Sequence, residues 1–121
     1  MDKSERIRKM AIISDADCYD GTGNQDGKTI LQITMLYVSG RERGEELEKC
    51  YECEPPFPDF LQKDMLRLGF RVHSFEELKT IAKQLVGIIV RVSLVRNGGT
   101  FRVYIDDYFG RGDPHKFMAN G

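Results

Sequence analysis

The sequence of 121 residues lacks the apolar run of about 20 residues that a membrane-spanning helix requires. Its N-terminal stretch, MDKSERIRKM, does not contain the apolar segment of a secretory signal peptide. Three cysteines are too few for the disulfide framework of a small secreted domain. These absences predict a soluble protein of the reducing cytoplasm that has no membrane partner.

A strong net charge is also absent, because 18 lysines and arginines face 19 aspartates and glutamates. This balance excludes a strongly basic protein that coats duplex DNA, but it leaves room for a local basic groove that holds a single strand. The two histidines, His73 and His115, do not stand at a spacing typical of a catalytic nucleophile and its base. We therefore expect a protein that is not an enzyme and that uses no cofactor.

Two glycine-rich or acidic stretches resemble ligand-binding loops without meeting their requirements. The segment 22–29, TGNQDGKT, has Thr22 where a phosphate-binding loop requires glycine, and a strand pattern follows where a helix is required. Residues 15–26 place aspartates at the first, third and twelfth positions of a calcium loop, but Asp20 occupies the obligatory glycine position. Both stretches are interpreted as solvated loops.

Cys50 and Cys53 have the spacing of zinc knuckles and of dithiol redox sites. If residues 45–53 form a strand, side chains three positions apart point to opposite faces and cannot share one metal ion. The relative orientation of the two cysteines therefore tests whether residues 45–53 form a strand. A small enzyme or metal protein built around the cysteines is the second alternative function, and metal analysis of the purified protein distinguishes it.

Five stretches rich in β-branched and aromatic residues predict strands. They are residues 7–18, 28–38, 45–53, 88–96 and 100–108. The third stretch has the glutamate and leucine content of a helix, but its alternating pattern and the short loop before it favour a strand. Asn97-Gly98-Gly99 predicts a tight turn between the last two strands, since glycine supplies a positive φ.

Two helices are predicted between the third and fourth strands. The apolar residues of 57–68 recur on one stripe, and Gly69 ends that helix. Ser74 and Glu77 form a capping-box pattern that begins the second helix, which ends at Gly87.

This order predicts a mainly β fold with a helical insertion, an OB-fold-like five-stranded barrel with the order β1-β2-β3-α-α-β4-β5. An SH3-like barrel and an α+β sandwich are the alternatives. We expect a single OB-like domain over residues 1–109, followed by a flexible C-terminal tail over residues 110–121.

Strand alternation assigns the faces of the predicted barrel. In the last two strands, the alternation predicts that the following residues face the interior: Ile88, Val90, Val92, Leu94, Phe101, Val103 and Ile105. The candidate nucleic-acid-binding residues are the cations and tyrosines that remain on outer positions and in one loop: Tyr37, Arg41, Arg43, Tyr51, Arg91, Arg102 and Tyr104. Bases stack on aromatic rings for about 1–3 kcal/mol each, and arginine holds phosphates. The glutamates of the third strand interrupt any continuous basic groove there.

The second half of the chain resembles a family of small phage proteins that occur in replication and recombination gene clusters. The stretches that carry the resemblance are FPDFLQKDMLRLGF and FEELKTIAKQLVGIIVRVSLVRNGGTFRVYIDDYF, within residues 57–109. The resemblance implies an OB-like fold and binding of single-stranded DNA beside a recombinase or a replicative helicase. It also implies that the compartment is the cytoplasm of the phage's host.

The sequence thus leads to the hypothesis of a non-enzymatic single-stranded DNA-binding protein of phage origin that supports replication or recombination. Self-association is a further expectation, since linked sites raise overall affinity. The alternative is a protein-interaction module, a phage adaptor or inhibitor, on the same scaffold without DNA binding. The near-neutral charge and the acidic third strand suit this alternative, and the salt dependence of oligo-dT binding separates the two.

Overall fold

The computed structural model describes residues 6–118, and of Asn97 it describes the backbone alone. The strands within this range are β1 (Arg6–Asp20), β2 (Thr29–Tyr37), β3 (Glu46–Cys53), β4 (Ile88–Asn97) and β5 (Thr100–Arg111). The α-helices are α1 (Asp59–Arg67) and α2 (Phe75–Ile81), and short 3-10 helices span Gly23–Gln25, Ala82–Leu85 and Pro114–Phe117. The predicted order of strands and helices is confirmed, including the strand over β3.

The five strands form one antiparallel sheet in the order β3-β2-β1-β4-β5. The central strand β1 is long enough, at 15 residues, to pair with β2 through residues 11–20 and with β4 through residues 6–12. Strands β3 and β5 are the sheet edges, and within residues 6–118 no ladder joins them. The sheet is therefore not closed into the barrel that the sequence predicts.

A side chain bridges the gap where such a ladder would form. The Lys49 Nζ of β3 donates a hydrogen bond to the Val103 carbonyl oxygen of β5 at 2.5 Å. Helix α1, which follows β3 in the chain, also contacts β5. The two edges are thus held near each other by a lysine and a helix rather than by backbone pairing.

The core lies between one face of the sheet, here called the helix-side face, and the helices. Alternation within β1 is reset by a bulge between Ile13 and Asp15, so that Ile13 and Ala16 both face the helices. The predicted inward positions Ile88, Val90, Val92 and Ile105 are buried in this core, and Val103 packs against it. The prediction for Phe101 is corrected: its side chain is 45% exposed, because it lies at the hairpin end of β5.

The segment expected to be a flexible tail begins within β5, which continues to Arg111. The Gly112 N–H donates to the Gly87 carbonyl oxygen at 2.8 Å, and Gly112 lies so close to Ile12 and Ile89 that a Cβ there would meet both side chains within 3.3 Å. The 3-10 helix Pro114–Phe117 contacts β1 and β2. This segment therefore packs against the sheet, while residues 119–121 of the expected tail, like residues 1–5, lie outside the described residues.

Two of the three helix signals read from the sequence correspond to helix termini, whereas α2 ends at Ile81 rather than at Gly87, and the 3-10 helix Ala82–Leu85 occupies most of the span between them. Gly69 follows α1 with a φ of +95°, which a residue without Cβ adopts at little cost. At the start of α2 the Ser74 Oγ accepts from the Glu77 N–H at 3.1 Å, as predicted, but the Glu77 Oε1 accepts from the His73 N–H rather than from the Ser74 N–H. Between residues 6 and 118 no helix has the length and apolar character needed to cross a membrane.

Replacing Ser74 by alanine is expected to lower the free energy of unfolding by about 1 kcal/mol, because the amide of Glu77 loses its capping acceptor. Urea denaturation followed by circular dichroism measures the change. Ser39→Ala, in the exposed turn after β2, serves as the control and should shift the free energy by less than about 0.5 kcal/mol. Equal effects of both substitutions would show that the cap contributes nothing.

Candidate nucleic-acid interface

A cleft lies between the edge strands β3 and β5, and α1 forms part of its wall. It contains cavities of about 300 and 410 Å³, and a third cavity of about 240 Å³ lies beside it between Arg6, α1 and β5; Tyr104 lines all three. We call this region the β3–β5 cleft. The side chains of its largest cavity that matter below are Lys49, Tyr51, Phe60, Asp64, Arg102 and Tyr104.

Tyr51 joins β3 to α1 at the inner side of the cleft. Its side chain is only 5% exposed, and its hydroxyl donates to the Asp64 Oδ2 at 2.6 Å. Burial raises the pKa of Tyr51 far above its ordinary value, and the charge of Asp64 adds to the shift, so the hydroxyl remains a donor. The Arg67 Nη1 donates to the other Asp64 oxygen at 2.7 Å. These contacts give the Asp64 carboxylate a defined position in the cleft wall.

Phe60 supplies an exposed ring beside this network. Its ring stacks on Tyr51 at a centroid distance of 6.3 Å and an interplanar angle of 21°, yet its side chain remains 57% exposed. The sequence pattern assigns Phe60 to the apolar stripe of the helix. In the structure that stripe consists of Leu61, Met65 and Leu68, which are buried, and Phe60 lies at its border.

Lys49 places a positive charge between two aromatic rings. Its Nζ lies 4.7 Å from the ring centroid of Tyr51 and 5.6 Å from that of Tyr104. Burial lowers the pKa of Lys49, while the nearby Asp64 carboxylate raises it. The ammonium group is thus partly removed from solvent and directed into the cleft, where a phosphate oxygen or a base carbonyl can accept from it.

Three of the four exposed aromatic rings of β5 each lie beside a cation, and the fourth ring is that of Tyr108. The ring–cation pairs are Phe101 with Arg96, Tyr104 with Lys49, and Phe109 with Arg91, at centroid distances of 5.4, 5.6 and 5.7 Å. Basic groups interleaved with rings are the composition of single-strand binding surfaces, where rings stack with bases and cations hold phosphates. The pattern follows the edge strand from its hairpin end to its C-terminal end.

Of the residues predicted from the sequence, Tyr51, Arg102 and Tyr104 lie together in the β3–β5 cleft. Tyr104 is 43% exposed and presents its ring to each cavity. The Arg102 side chain is exposed and makes no hydrogen bond or ion pair with other residues in the range 6–118. Tyr51 donates a hydrogen bond from its hydroxyl to Asp64, and because its ring is buried it offers no free face on which a base can stack.

Arg91 lies on the same face of the β4–β5 hairpin as Arg102 and Tyr104, as the alternation predicts. Its guanidinium forms an ion pair with the carboxylate of Asp107 on the neighbouring strand. The positive charge of Arg91 is therefore largely compensated within the protein. Its remaining contribution is to flank the ring of Phe109.

Tyr37, Arg41 and Arg43 lie around the turn between β2 and β3 and do not line the cavities of the cleft. Tyr37 is buried, and this burial raises its pKa. Arg43 donates to the Val38 carbonyl oxygen at 3.0 Å and lies over the ring of Phe117, so it attaches the turn to the C-terminal segment. Arg41 is exposed.

The face of β1–β3 that points away from the helices is acidic. It carries Asp15 and Asp17 from β1. The Lys83 Nζ bridges their carboxylates and lies 3.2 Å from the Asp15 Oδ1 and 2.6 Å from the Asp17 Oδ1. Glu48 and Glu52 of β3 share this face and accept hydrogen bonds from Gln32 and Gln25. This face repels a polyanion, and the repulsion extends to the β3 side of the cleft, because Glu48 lines its cavity of about 300 Å³ and Glu52 lines its cavity of about 410 Å³.

Cys50 and Cys53 point to opposite faces of β3, as the strand period predicts. Cys50 is exposed and lines the cleft, whereas Cys53 is buried. Burial raises the pKa of the Cys50 thiol, and Glu52 and Glu48 raise it further. In the part of the chain that the structure describes, no group of three or more His, Cys, Asp or Glu side chains is arranged to hold a metal ion.

The site contains four residues that the sequence analysis did not propose as binding residues, namely Lys49, Phe60, Asp64 and Arg67. A signal existed for Lys49, since it occupies an inward position between Leu47 and Tyr51 in the alternation of β3. Comparisons of the chain with protein-family models, with curated proteins and with solved structures found no match. The function is accordingly derived from the geometry of the β3–β5 cleft.

Proposed function

We propose that this is a non-enzymatic single-stranded DNA-binding protein in which the DNA follows β5 and enters the β3–β5 cleft. The observation that supports the proposal is the position of Tyr104, whose exposed ring lines three cavities, two of which Lys49 and Arg102 also line. A base that stacks on this ring places its phosphates within reach of both cations. Phe60 and Phe101 extend the aromatic surface on either side.

The length of β5 suits this role. A strand of 12 residues extends over about 40 Å at roughly 3.3 Å per residue. That length accommodates several nucleotides of an extended strand, in line with the roughly 4–16 nucleotides that an OB-fold contacts. We therefore expect a short site that is confined to one protein chain.

We further propose that the fold is an OB-like barrel opened between its third and fifth strands, since OB-folds are partly open Greek-key barrels. The sheet order β3-β2-β1-β4-β5 ends at these two strands, and Lys49 bridges them. OB-folds commonly bind along strands two and three. The acidic surface on that side of this protein favours β5 as the path of the DNA.

The resemblance of residues 57–109 to the phage family supplies the proposed biological setting. In that setting the protein protects single strands or passes them to a recombinase or helicase during replication or recombination. Self-association would add affinity by linking short sites. Each of these roles requires binding to single-stranded DNA, which is therefore the first property to measure.

Fluorescence anisotropy with a labelled dT oligomer at about 50 and about 200 mM salt tests the proposal. If Lys49, Arg102 and one further cation each contact a phosphate, the affinity should fall by about 15- to 20-fold across this range, given a slope of roughly −0.7 per contact. The protein-interaction alternative predicts no salt-dependent binding. Absence of binding at low salt, with protein well above micromolar concentration, would overturn the proposal.

Thiol labelling locates the DNA independently, because Cys50 lines the cleft and is exposed. Saturating dT oligomer should slow the reaction of Cys50 with a maleimide, as read from its peptide by mass spectrometry. Labelling carried out above neutral pH compensates for the raised pKa of this thiol. An unchanged labelling rate in a saturated complex would place the DNA outside the β3–β5 cleft.

A further inference from the structure

We propose that the largest cavity of the β3–β5 cleft binds a guanine base of the single strand. The inference rests on the proposed function and adds a base preference to it. The cavity has a volume of about 410 Å³, within the range of roughly 300–1,000 Å³ that small ligands occupy. Phe60 and Tyr104 line it with exposed rings, which provide flat apolar contacts for a purine.

The acceptor side of the cavity is the Asp64 carboxylate. Its side chain is only 17% exposed, and each oxygen already accepts one hydrogen bond, from Tyr51 and from Arg67. A carboxylate offers about four lone-pair positions, so each oxygen retains capacity for one more donor. Because its partners hold the carboxylate in place, it can accept from two adjacent donors on the edge of one base.

The donor side of the cavity is the Arg102 guanidinium, which has no hydrogen bond or ion pair with any other residue between positions 6 and 118. A guanidinium presents its N–H groups as a planar fork, and the fork matches the O6 and N7 acceptors of guanine. Lys49 lines the same cavity and adds a second positive charge to it.

Guanine is the base whose edges match both groups. Its N1–H and N2 amino group are adjacent donors for the carboxylate of Asp64, and its O6 and N7 are adjacent acceptors for Arg102. Thymine has a single ring N–H between two carbonyl groups, and adenine has no N1–H. Cytosine can donate its amino group to a carboxylate but lacks the purine O6 and N7 pair.

The experiment compares dT heptamers whose central base is thymine, guanine, inosine or 7-deazaguanine, by fluorescence anisotropy. The guanine oligomer should bind about tenfold more tightly than the all-thymine oligomer. Inosine lacks the N2 amino group and 7-deazaguanine lacks N7, so each should lose at least about threefold of this gain. Equal affinities for all central bases would overturn the guanine site and leave single-strand binding intact.

Arg102→Lys tests whether the planar guanidinium recognises guanine, because lysine retains the positive charge but lacks the planar pair of N–H donors. The ratio of guanine to thymine affinity should fall close to one, whatever happens to the affinity for dT. Lys63→Ala, on the exposed side of α1 in an ion pair with Asp59, is the matched control and should leave the ratio unchanged. A ratio preserved in Arg102→Lys would refute the assignment, and binding of no oligomer by the wild type would refute the proposed function together with it.

Discussion

Tyr104→Ala is expected to lower the affinity for a dT oligomer by about 5- to 160-fold, which corresponds to the roughly 1–3 kcal/mol of one base–aromatic stack. The effect should exceed that of any single cation in the cleft, because Tyr104 lines each of its cavities. Anisotropy titrations at constant low salt measure the loss.

Tyr104→Phe is the matched control for this loss. The phenylalanine ring retains the stacking surface and the contact with the Lys49 ammonium, so the affinity should stay within about threefold of the wild type. Tyr104 is 43% exposed, and neither variant should change the unfolding midpoint appreciably. Wild-type affinity in Tyr104→Ala would mean that DNA does not stack in the β3–β5 cleft.

Met65→Ala is expected to lower the free energy of unfolding by about 2–5 kcal/mol, because the truncated side chain leaves a cavity in the core. Met65 is 0% exposed and anchors α1 against the sheet, whereas its neighbour Leu66 is 54% exposed. Leu66→Ala should therefore change the stability by less than about 0.5 kcal/mol. Urea denaturation of both variants measures the difference.

The Met65 prediction also concerns the site, since Phe60 and Asp64 reach the cleft from the same helix. Weakened packing of α1 should reduce the guanine preference before it reduces general binding to dT, which depends on β5. Similar destabilisation by Met65→Ala and Leu66→Ala would show that α1 does not use Met65 as its anchor.

Much of the fold follows from local sequence features. The alternation in β3 outweighed its helical composition, and the opposite faces of Cys50 and Cys53 agree with the strand. Gly69 and Ser74 mark helix termini because a positive φ and a capped amide are requirements of neighbouring residues. Such features depend on a few residues in a row, so the sequence is sufficient to predict them.

Other features required contacts between distant segments. Phe60 belongs to the apolar stripe of the helix in the sequence, yet in the structure it is 57% exposed and stacks on Tyr51 of the edge strand β3. The tail appears polar and rich in glycine, but Gly112 packs on Ile12 and Ile89 because those side chains would otherwise leave an apolar patch on the sheet. No local pattern contains this information.

The candidate site also combines features that local sequence predicts with features that depend on contacts between distant segments. The sequence by itself determined that Arg91, Arg102 and Tyr104 share one face of a hairpin, because alternation is a property of the strand. Only the tertiary structure decided that Asp107 neutralises Arg91, that Tyr51 is enclosed beside Asp64, and that Lys49 spans the opening between β3 and β5. These outcomes depend on where β3, β5 and α1 lie relative to one another, because packing across the whole chain sets these positions and with them the space and charge of the cleft.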